Sequence, residues 1–417
     1  MIKILYIRNG GLSMKIKSFN HDTNFIIDDI EKTQENEIGI YVHIPFCIRK
    51  CSYCDFISFP TSKELINSYL DSLEIEISLY KKKIDHYTIK TIFIGGGTPT
   101  SLDNNSFDRL LKIIDRGLSL SQNKASVEYT VEANPKTITK EIAKSMVYYG
   151  VNRVSLGLQS SNEKELQLLG RVHTFDDLSD SISILRANSI YNINVDLIYG
   201  LPNQSIETFQ KSLEDLMALS VDHISCYSLI LEEGTRLYDM EKSGAISMPS
   251  EEDDLLMYET AILFLEKNGY IQYEISNFAK QNKKCLHNII YWKNKDYLGL
   301  GVSAHGFIDK ERYENADNIE DYASLLNENK YPIVKKEKIK KEMLFEEWIF
   351  LRLRMNEGIS FDEINSEFDI DFKDKYSNIL DKLRKDGLVE FNEESFFLTT
   401  KGFELSNYVF LEILSLD

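Results

Sequence analysis

Three cysteines stand close together in the run Tyr-Val-His-Ile-Pro-Phe-Cys-Ile-Arg-Lys-Cys-Ser-Tyr-Cys-Asp-Phe, residues 41–56. Cys47, Cys51 and Cys54 have the spacing C-x3-C-x2-C, just after an apolar run. An iron-sulfur cluster usually takes cysteine thiolates on all of its irons. Three thiolates from one loop would hold three corners of a four-iron cluster and leave the fourth iron open to another ligand.

Two other chemistries use cysteines in such groups. A disulfide framework is disfavoured, because the group holds an odd number of cysteines in a chain that has only five. A structural zinc ion is the second alternative, with His43 completing a Cys3His tetrahedron. Structural zinc sites usually pair ligands from separated loops, and no second C-x2-C follows in this chain. The spacing therefore favours the open cluster and leaves zinc as the alternative.

The composition indicates a globular chain of ordinary apolar content. It has 417 residues, 43% of them apolar, and a net charge of -18. So acidic a chain is a poor partner for nucleic acid or an anionic membrane, since both attract basic surfaces. No apolar run approaches the length of a membrane span, and residues 1–13 do not form a secretory signal. With few cysteines outside the cluster motif, we predict a cytoplasmic protein.

From residue 39 onward, short β-branched and aromatic runs alternate with helical patterns, which predicts an α/β fold with a parallel sheet. The predicted strands cover residues 38–44, 91–94, 127–132, 153–158, 193–198 and 223–229. The predicted helices cover residues 63–82, 107–118, 140–148, 175–188 and 206–219. Polar residues follow the strand ends, which favours a partial (β/α)6 barrel of the TIM type over a doubly wound sheet.

The chain is predicted to contain an N-terminal extension, a barrel, a region rich in aromatic residues and histidine, and a winged-helix-like segment. These cover residues 1–38, 39–250, 251–340 and 341–417, and the last two form an α+β C-terminal region. Met14 is an alternative start within the extension. DNA binding by the winged-helix-like segment is disfavoured, because residues 357–417 hold 15 acidic and 6 basic side chains.

The polar residues at the strand ends point to one ligand-binding rim. The loop Gly95-Gly96-Gly97-Thr98 would expose backbone amides to a ligand, although a tight turn explains three glycines equally well. Glu132 ends a later strand, Gln159 and Arg171 follow the next one, and Asp196 lies within its strand. A carboxylate can hold ribose hydroxyls, and an arginine can hold a carboxylate in a forked pair.

Together these motifs resemble the radical S-adenosylmethionine (SAM) superfamily, and more narrowly its oxygen-independent coproporphyrinogen oxidase branch. The run Tyr-Val-His-Ile-Pro-Phe-Cys is typical of that branch, and the resemblance extends from about residue 38 to the C-terminus. It implies that Cys47, Cys51 and Cys54 bind a 4Fe-4S cluster whose open iron is chelated by SAM. The SAM site that it implies consists of Tyr41, Tyr53, Gly96, Gly97, Thr98, Glu132, Gln159, Arg171 and Asp196.

Within this branch, one position separates two groups. The oxidases are similar to one another in the pattern C-x3-C-x2-C-x-C. This chain has Phe56 at the position of their fourth cysteine. Cys-Asp-Phe is instead similar to the sister group, the haem chaperones called HemW. The second motif of that group, His-Asn-x-x-Tyr-Trp, is present as His287-Asn288-Ile-Ile-Tyr291-Trp292.

The second motif suits haem in its chemistry. A neutral histidine can be an axial ligand, and Tyr291 and Trp292 supply flat apolar area. The alternative is a packed aromatic patch with a hydrogen-bonded histidine. Cys285 and His305 are rivals to His287 as the iron ligand.

The resemblance implies a haem chaperone that binds a 4Fe-4S cluster, SAM and haem, and delivers haem to a respiratory apoprotein. An electron donor for the cluster is the further partner expected. A homodimer and a peripheral membrane contact are compatible with the sequence. The alternatives are an oxygen-independent coproporphyrinogen III oxidase of porphyrin biosynthesis and a zinc-binding structural protein. No catalytic residue is assigned, and enzymatic activity is left open.

Overall fold

The structure, a computed structural model, describes residues 36–59, 62–120 and 126–414. The predicted N-terminal extension and Met14 lie outside these ranges, apart from residues 36–38. Six parallel strands, β1 to β6, are Glu37–Ile44, Thr88–Gly96, Glu128–Ala133, Arg153–Gln159, Asn192–Tyr199 and His223–Ser228. The connecting helices, α1 to α6, are Lys63–Ile84, Asn104–Gly117, Lys140–Tyr149, Glu163–Leu168, Phe175–Ala187 and Ile206–Leu219, with a 3-10 turn at Pro99–Ser101.

The six strands pair in chain order, each parallel to the next. A doubly wound sheet would reverse its strand order at a switch point. The consecutive order therefore confirms the partial (β/α)6 barrel. It also brings the carboxyl ends of all six strands to one rim, where the cysteine loop and most of the predicted SAM residues lie.

The region over residues 251–340 continues the same sheet, a difference from the sequence-based division. Helix α7, Arg236–Lys242, lies between β6 and this region. The elements of the region are α8 Glu251–Lys267, β7 Ile271–Glu274, β8 Asn277–Ala279, α9 Leu286–Trp292, β9 Tyr297–Leu300, β10 His305–Ile308, β11 Glu311–Asn315, α10 Ile319–Asn327 and β12 Ile333–Lys338. The twelve strands are ordered β12-β11-β10-β9-β1-β2-β3-β4-β5-β6-β8-β7. Several of these added strands have only three or four residues, too few to show an alternating pattern in the sequence.

The C-terminal elements form a winged-helix-like unit, as predicted. They are α11 Lys341–Arg352, β13 Ile359–Ser360, α12 Phe361–Phe368, α13 Phe372–Lys375, α14 Ser377–Lys385, β14 Val389–Phe391, β15 Ser395–Leu398, α15 Thr400–Glu404 and α16 Ser406–Leu414. Their three strands pair in the order β13-β15-β14. Nearly all of their buried apolar side chains form a core of their own, beside the larger barrel core. The domain boundary near residue 340 stays a prediction, and the two cores agree with it.

The barrel strands are apolar on one face and polar on the other. In β4, Val154 and Leu156 pack into the core that the helices cover, whereas Arg153 and Ser155 lie on the opposite face and are also buried. Burying polar groups costs free energy unless they find partners. An interior lined in this way indicates a barrel that holds a polar ligand.

The first two helices approach each other closely at Gly117. A Cβ at this position would lie 2.2 Å from Cγ2 of Ile77, which is β-branched and stiff. We expect Gly117→Ala to destabilise the apo-protein by about 1–3 kcal/mol through overpacking. The measurement is the urea midpoint by circular dichroism, with Lys112→Ala on the exposed side of α2 as the control. An unchanged midpoint in Gly117→Ala would contradict this packing.

Candidate functional site

The three cysteines of the predicted cluster lie on the loop after β1, and all three are partly buried and free of disulfides. Burial raises the pKa of Cys47 to about 11 and also raises that of Cys54. Iron binds the thiolate, so cluster binding must displace these protons. Within the described ranges, no three His, Cys, Asp or Glu side chains form a group that could hold a metal ion. In a four-iron cluster each cysteine binds its own iron, so the sulfurs need not converge on one point.

Backbone hydrogen bonds hold the cysteine loop on both sides. The Ser52 amide donates to the Leu169 carbonyl at 2.9 Å, and the Ser52 carbonyl accepts from the Leu237 amide at 2.8 Å. Gly170 has a φ of +75° and lies against this turn, where a Cβ would be 3.1 Å from Ser52 Oγ. The Leu169-Gly170-Arg171 motif after α4 therefore packs against the cysteine loop and holds it in place.

The glycine loop after β2 packs directly on the cysteine loop. The Gly97 amide donates to the Ile44 carbonyl and the Thr98 amide to the Phe46 carbonyl, both at 2.8 Å. A Cβ at Gly97 would lie 2.6 Å from the Phe46 oxygen, so glycine is required for this approach. Thr98 Oγ1 then lies 3.8 Å from the Cys47 sulfur.

A chain of side-chain hydrogen bonds connects this loop to the rest of the rim. Asn134 Nδ2 donates to Thr98 Oγ1 at 2.8 Å, and Arg171 donates to Asn134 Oδ1 at 2.5 Å. The same guanidinium donates to the Tyr53 hydroxyl at 2.6 Å. The chain thus runs from Cys47 back to the cysteine loop and fixes Arg171 beside it.

Gln159 ends β4 with a φ of +74°, in the left-handed region that a non-glycine residue rarely adopts. Three polar groups meet above Gly157, where a Cβ would lie 2.9 Å from Gln159 Nε2, 3.2 Å from Asn134 Oδ1 and 3.3 Å from Arg171. The missing side chain at Gly157 leaves the space in which these groups converge.

The two rim carboxylates lie on β3 and β5. Glu132 accepts from the Gly96 amide at 3.1 Å, and Asp196 accepts from Asn194 at 2.7 Å and from Ser155 at 3.2 Å. Burial and the nearby Asp196 raise the pKa of Glu132 to about 7. Glu132 therefore changes its charge within the physiological range.

Tyr41 and His43 occupy the inner face of β1 beside this group. The Tyr41 hydroxyl and His43 Nδ1 are hydrogen-bonded at 2.9 Å. The His43 ring lies on Gly96, where a Cβ would be 2.3 Å from the ring. Burial, with a smaller effect of Glu132, raises the pKa of Tyr41.

The residues predicted for the cluster and for SAM lie at the carboxyl-end rim, except that Tyr41 and Asp196 lie deeper, within β1 and β5. Their individual ligand contacts stay predictions. Within the described residues, Arg171 Nε and His43 Nε2 are buried and lack a hydrogen-bond partner. Together with the three thiols and the space above Gly157, these atoms fit a cluster and a polar ligand with amino, carboxylate and hydroxyl groups.

The second motif lies at the opposite end of the barrel, on the short helix α9. His287 Nδ1 is 2.7 Å from Thr91 Oγ1 in the first half of β2, and its Nε2 is 2.9 Å from the Tyr291 hydroxyl. Glu128, the first residue of β3, accepts from the amides of Leu286 and His287 at 3.0 and 2.9 Å. The helix therefore closes the amino-end floor of the barrel.

The other members of the motif line the side of this floor. Asn288 and Trp292 are half-buried, and the Arg354 guanidinium lies 4.6 Å from the centre of the Trp292 ring. Arg354 is paired with the fully buried Glu274 at 3.8 Å. The motif thus contacts the chain just after α11. Its role in haem binding stays a prediction.

Sequence reasoning did not single out Asn134, although it joins Thr98 to Arg171. Asn134 stands in Glu-Ala-Asn-Pro, where an asparagine before proline reads as a turn residue. Its position two residues after Glu132, at the end of a parallel strand, is the signal that could have found it.

Comparisons with known proteins agree with this architecture. Residues 41–216 match the radical SAM superfamily, and residues 339–405 match the HemN C-terminal domain. The heme chaperone HemW of Bacillus subtilis (strain 168) is 36% identical over 89% of this chain and 97% of its own. This chain belongs to the HemW family. The HemW of Lactococcus lactis is likewise 36% identical, over 90% of this chain and 96% of its own.

The HemW family chain also resembles a solved structure of the HemN branch. The coproporphyrinogen III oxidase HemN of Escherichia coli, a radical SAM enzyme, has a TM-score of 0.79 and 25% identity, over 91% of this chain and 90% of its own. Membership of the radical SAM superfamily implies SAM and a 4Fe-4S cluster as cofactors, which the rim residues fit. No helix in the described part of the chain combines the length and apolar character of a membrane span.

The first prediction from this site concerns the cluster. Cys51→Ala should lose most bound iron and sulfide after anaerobic reconstitution, because two thiolates from one loop cannot hold the cluster. Iron and sulfide analysis with the visible spectrum measures the loss. Cys226→Ala, which removes a buried thiol of β6, is the control and should keep the wild-type content. A full cluster in Cys51→Ala would refute the assignment.

The second prediction concerns the charge of Glu132. If its carboxylate accepts the SAM ribose hydroxyls, SAM should bind better above the pKa of about 7, where Glu132 is ionised. The affinity should then fall by about tenfold from pH 8 to pH 6. Asp196 raises this pKa and Arg153 lowers it, so both act on the same profile.

Anaerobic calorimetric titration with SAM at several pH values measures this dependence. Glu132→Gln should flatten the profile, whereas Glu141→Gln, at an exposed position in α3, should keep it. A wild-type slope in Glu132→Gln would assign the pH dependence to another group.

Proposed function

We propose that this chain is a haem chaperone, which binds a 4Fe-4S cluster and SAM at the carboxyl-end rim, binds haem, and delivers it to a respiratory apoprotein. The observation that carries the proposal is the match to proteins named heme chaperone HemW over about nine-tenths of the chain. When bound, the cluster supplies an electron that can cleave the SAM sulfonium. The residues of the chain hold SAM, orient it and exclude water.

The cysteine loop also favours a chaperone over an oxidase. Phe56, which is 37% exposed, stands at the position where the oxidase pattern has its fourth cysteine. The structural likeness to the Escherichia coli oxidase keeps oxygen-independent coproporphyrinogen III oxidase as the second candidate. Incubation with coproporphyrinogen, SAM and a strong reductant, followed by product analysis, separates the two. We expect no decarboxylated product.

The individual site residues and partners form part of the same proposal. The SAM contacts are those of the nine predicted residues, and the His287–Trp292 motif supports haem binding. Such a chaperone would need an electron donor for its cluster and an acceptor of haem. We propose a cytoplasmic location and no nucleic-acid partner, in line with the net charge of -18.

The proposed function predicts saturable haem binding. An anaerobic titration of the cluster-reconstituted protein with haem should shift the Soret band and saturate near one haem per chain. Haem should then pass to an apoprotein added in excess, and the Soret band of the acceptor follows this transfer. A linear rise without saturation, as with free haem in buffer, would contradict the chaperone function.

A further inference from the structure

The axial ligand of a haem must offer a free lone pair on a side that the flat macrocycle can reach. The three candidates from the sequence are Cys285, His287 and His305, and they differ in this respect. Cys285 lies just before α9, His287 lies in α9, and His305 begins β10.

Cys285 and His287 face the interior of the barrel floor. The Cys285 side chain is fully buried, with its sulfur 3.7 Å from Glu128 Oε1. His287 is 1% exposed, and its two ring nitrogens contact Thr91 and Tyr291 at hydrogen-bond distance. Its ring also stacks on Phe93, with centroids 5.1 Å apart. Iron ligation by either residue would require α9 to leave the floor.

His305 lies at the other end of the barrel. Strand β9 runs parallel to β1, so it ends at the same edge as the strand that leads into the cysteine loop. The chain turns there and begins β10 with His305, whose side chain is 30% exposed. Its Nε2 lies 3.9 Å from Glu314 Oε1, too far for a hydrogen bond. Burial lowers the pKa of His305 and so favours the neutral form, which is the form that ligates iron.

The turn before His305 is held firmly against β1. The buried Glu76 accepts from the Gly301 amide at 2.7 Å, from Asn315 at 2.7 Å and from the Tyr322 hydroxyl at 2.6 Å. A Cβ at Gly301 would lie 2.7 Å from the His43 carbonyl oxygen. The position of His305 is therefore set by the same strand that positions the cysteines.

A second imidazole lies near His305. His43 is fully buried, and its Nε2 is without a hydrogen-bond partner in the described part of the chain. Burial lowers the pKa of His43 to about 3, and a charge on His305 adds a smaller effect in the same direction. This part of the barrel therefore holds two imidazoles, the buried His43 and the partly exposed His305.

We propose that His305 is the protein ligand of the haem iron, at the carboxyl-end rim beside the cluster loop. The α9 motif then acts as a positioning element that closes the barrel floor. This inference rests on the proposed haem-chaperone function. It assigns haem and SAM to the same end of the barrel.

The test compares His305→Ala with His287→Ala in the full-length, cluster-reconstituted protein. His305→Ala should weaken haem binding by about tenfold or more and lose the optical and electron paramagnetic resonance signature of histidine ligation. Free imidazole should restore that signature, because it can occupy the space left by the side chain. His287→Ala should keep the signature and show a lower thermal midpoint. His86→Ala, at the turn before β2, is the control.

The outcomes separate the two proposals. A wild-type histidine signature in His305→Ala, together with its loss in His287→Ala, would place the ligand on α9 and overturn this inference while leaving the chaperone function standing. No saturable haem binding by the wild type would overturn both. Should His305→Ala lose its cluster spectrum through misfolding, His305→Gln gives the same comparison with nearly the same side-chain volume.

Discussion

Two backbone hydrogen bonds between the glycine loop and the cysteine loop determine the geometry of the rim. They form because β1 and β2 are parallel neighbours that end at one edge, and because Gly97 has no Cβ to separate the loops. Thr98 is placed beside Cys47 by this contact, and the hydrogen bonds through Asn134 to Arg171 begin from Thr98. A shift of the glycine loop would therefore move the cluster ligands and the polar pocket together.

The two faces of the barrel strands have different roles: the outer face stabilises the fold, and the inner face lines the site. The outward residues of its strands are apolar and form the large core with the helices. The inward residues are polar, and Arg153 is among the largest fully buried side chains of the described chain. Buried polar groups weaken a fold unless neighbours or ligands satisfy them. The helices of the outer layer offset this cost, and the interior remains free to bind a charged cofactor.

Much of this arrangement could be predicted from the sequence. Strands that alternate with helices indicate a parallel sheet, and the carboxyl ends of parallel strands share one edge. Glu132 and Gln159 were found in that way. The location of α9 was not predictable by this logic. His287 contacts Thr91 across 196 residues, and nothing in a local pattern shows which end of a barrel a later helix will close. The short strands β8 and β9 were missed for a similar reason, since pairing with β6 and β1 specifies them more than their own composition.

The closed floor of the barrel affects the order in which ligands can bind. A barrel that is filled at one end by a helix capped by Glu128 admits its ligands from the opposite end. With His305 as the haem ligand, SAM and a porphyrin would share one entrance, and SAM would occupy the deeper position. The porphyrin would then cover SAM, so uptake would be sequential and release would follow the reverse order. The exchange of bound SAM with free SAM would be slower whenever the porphyrin is bound. This effect would need no conformational change of the protein.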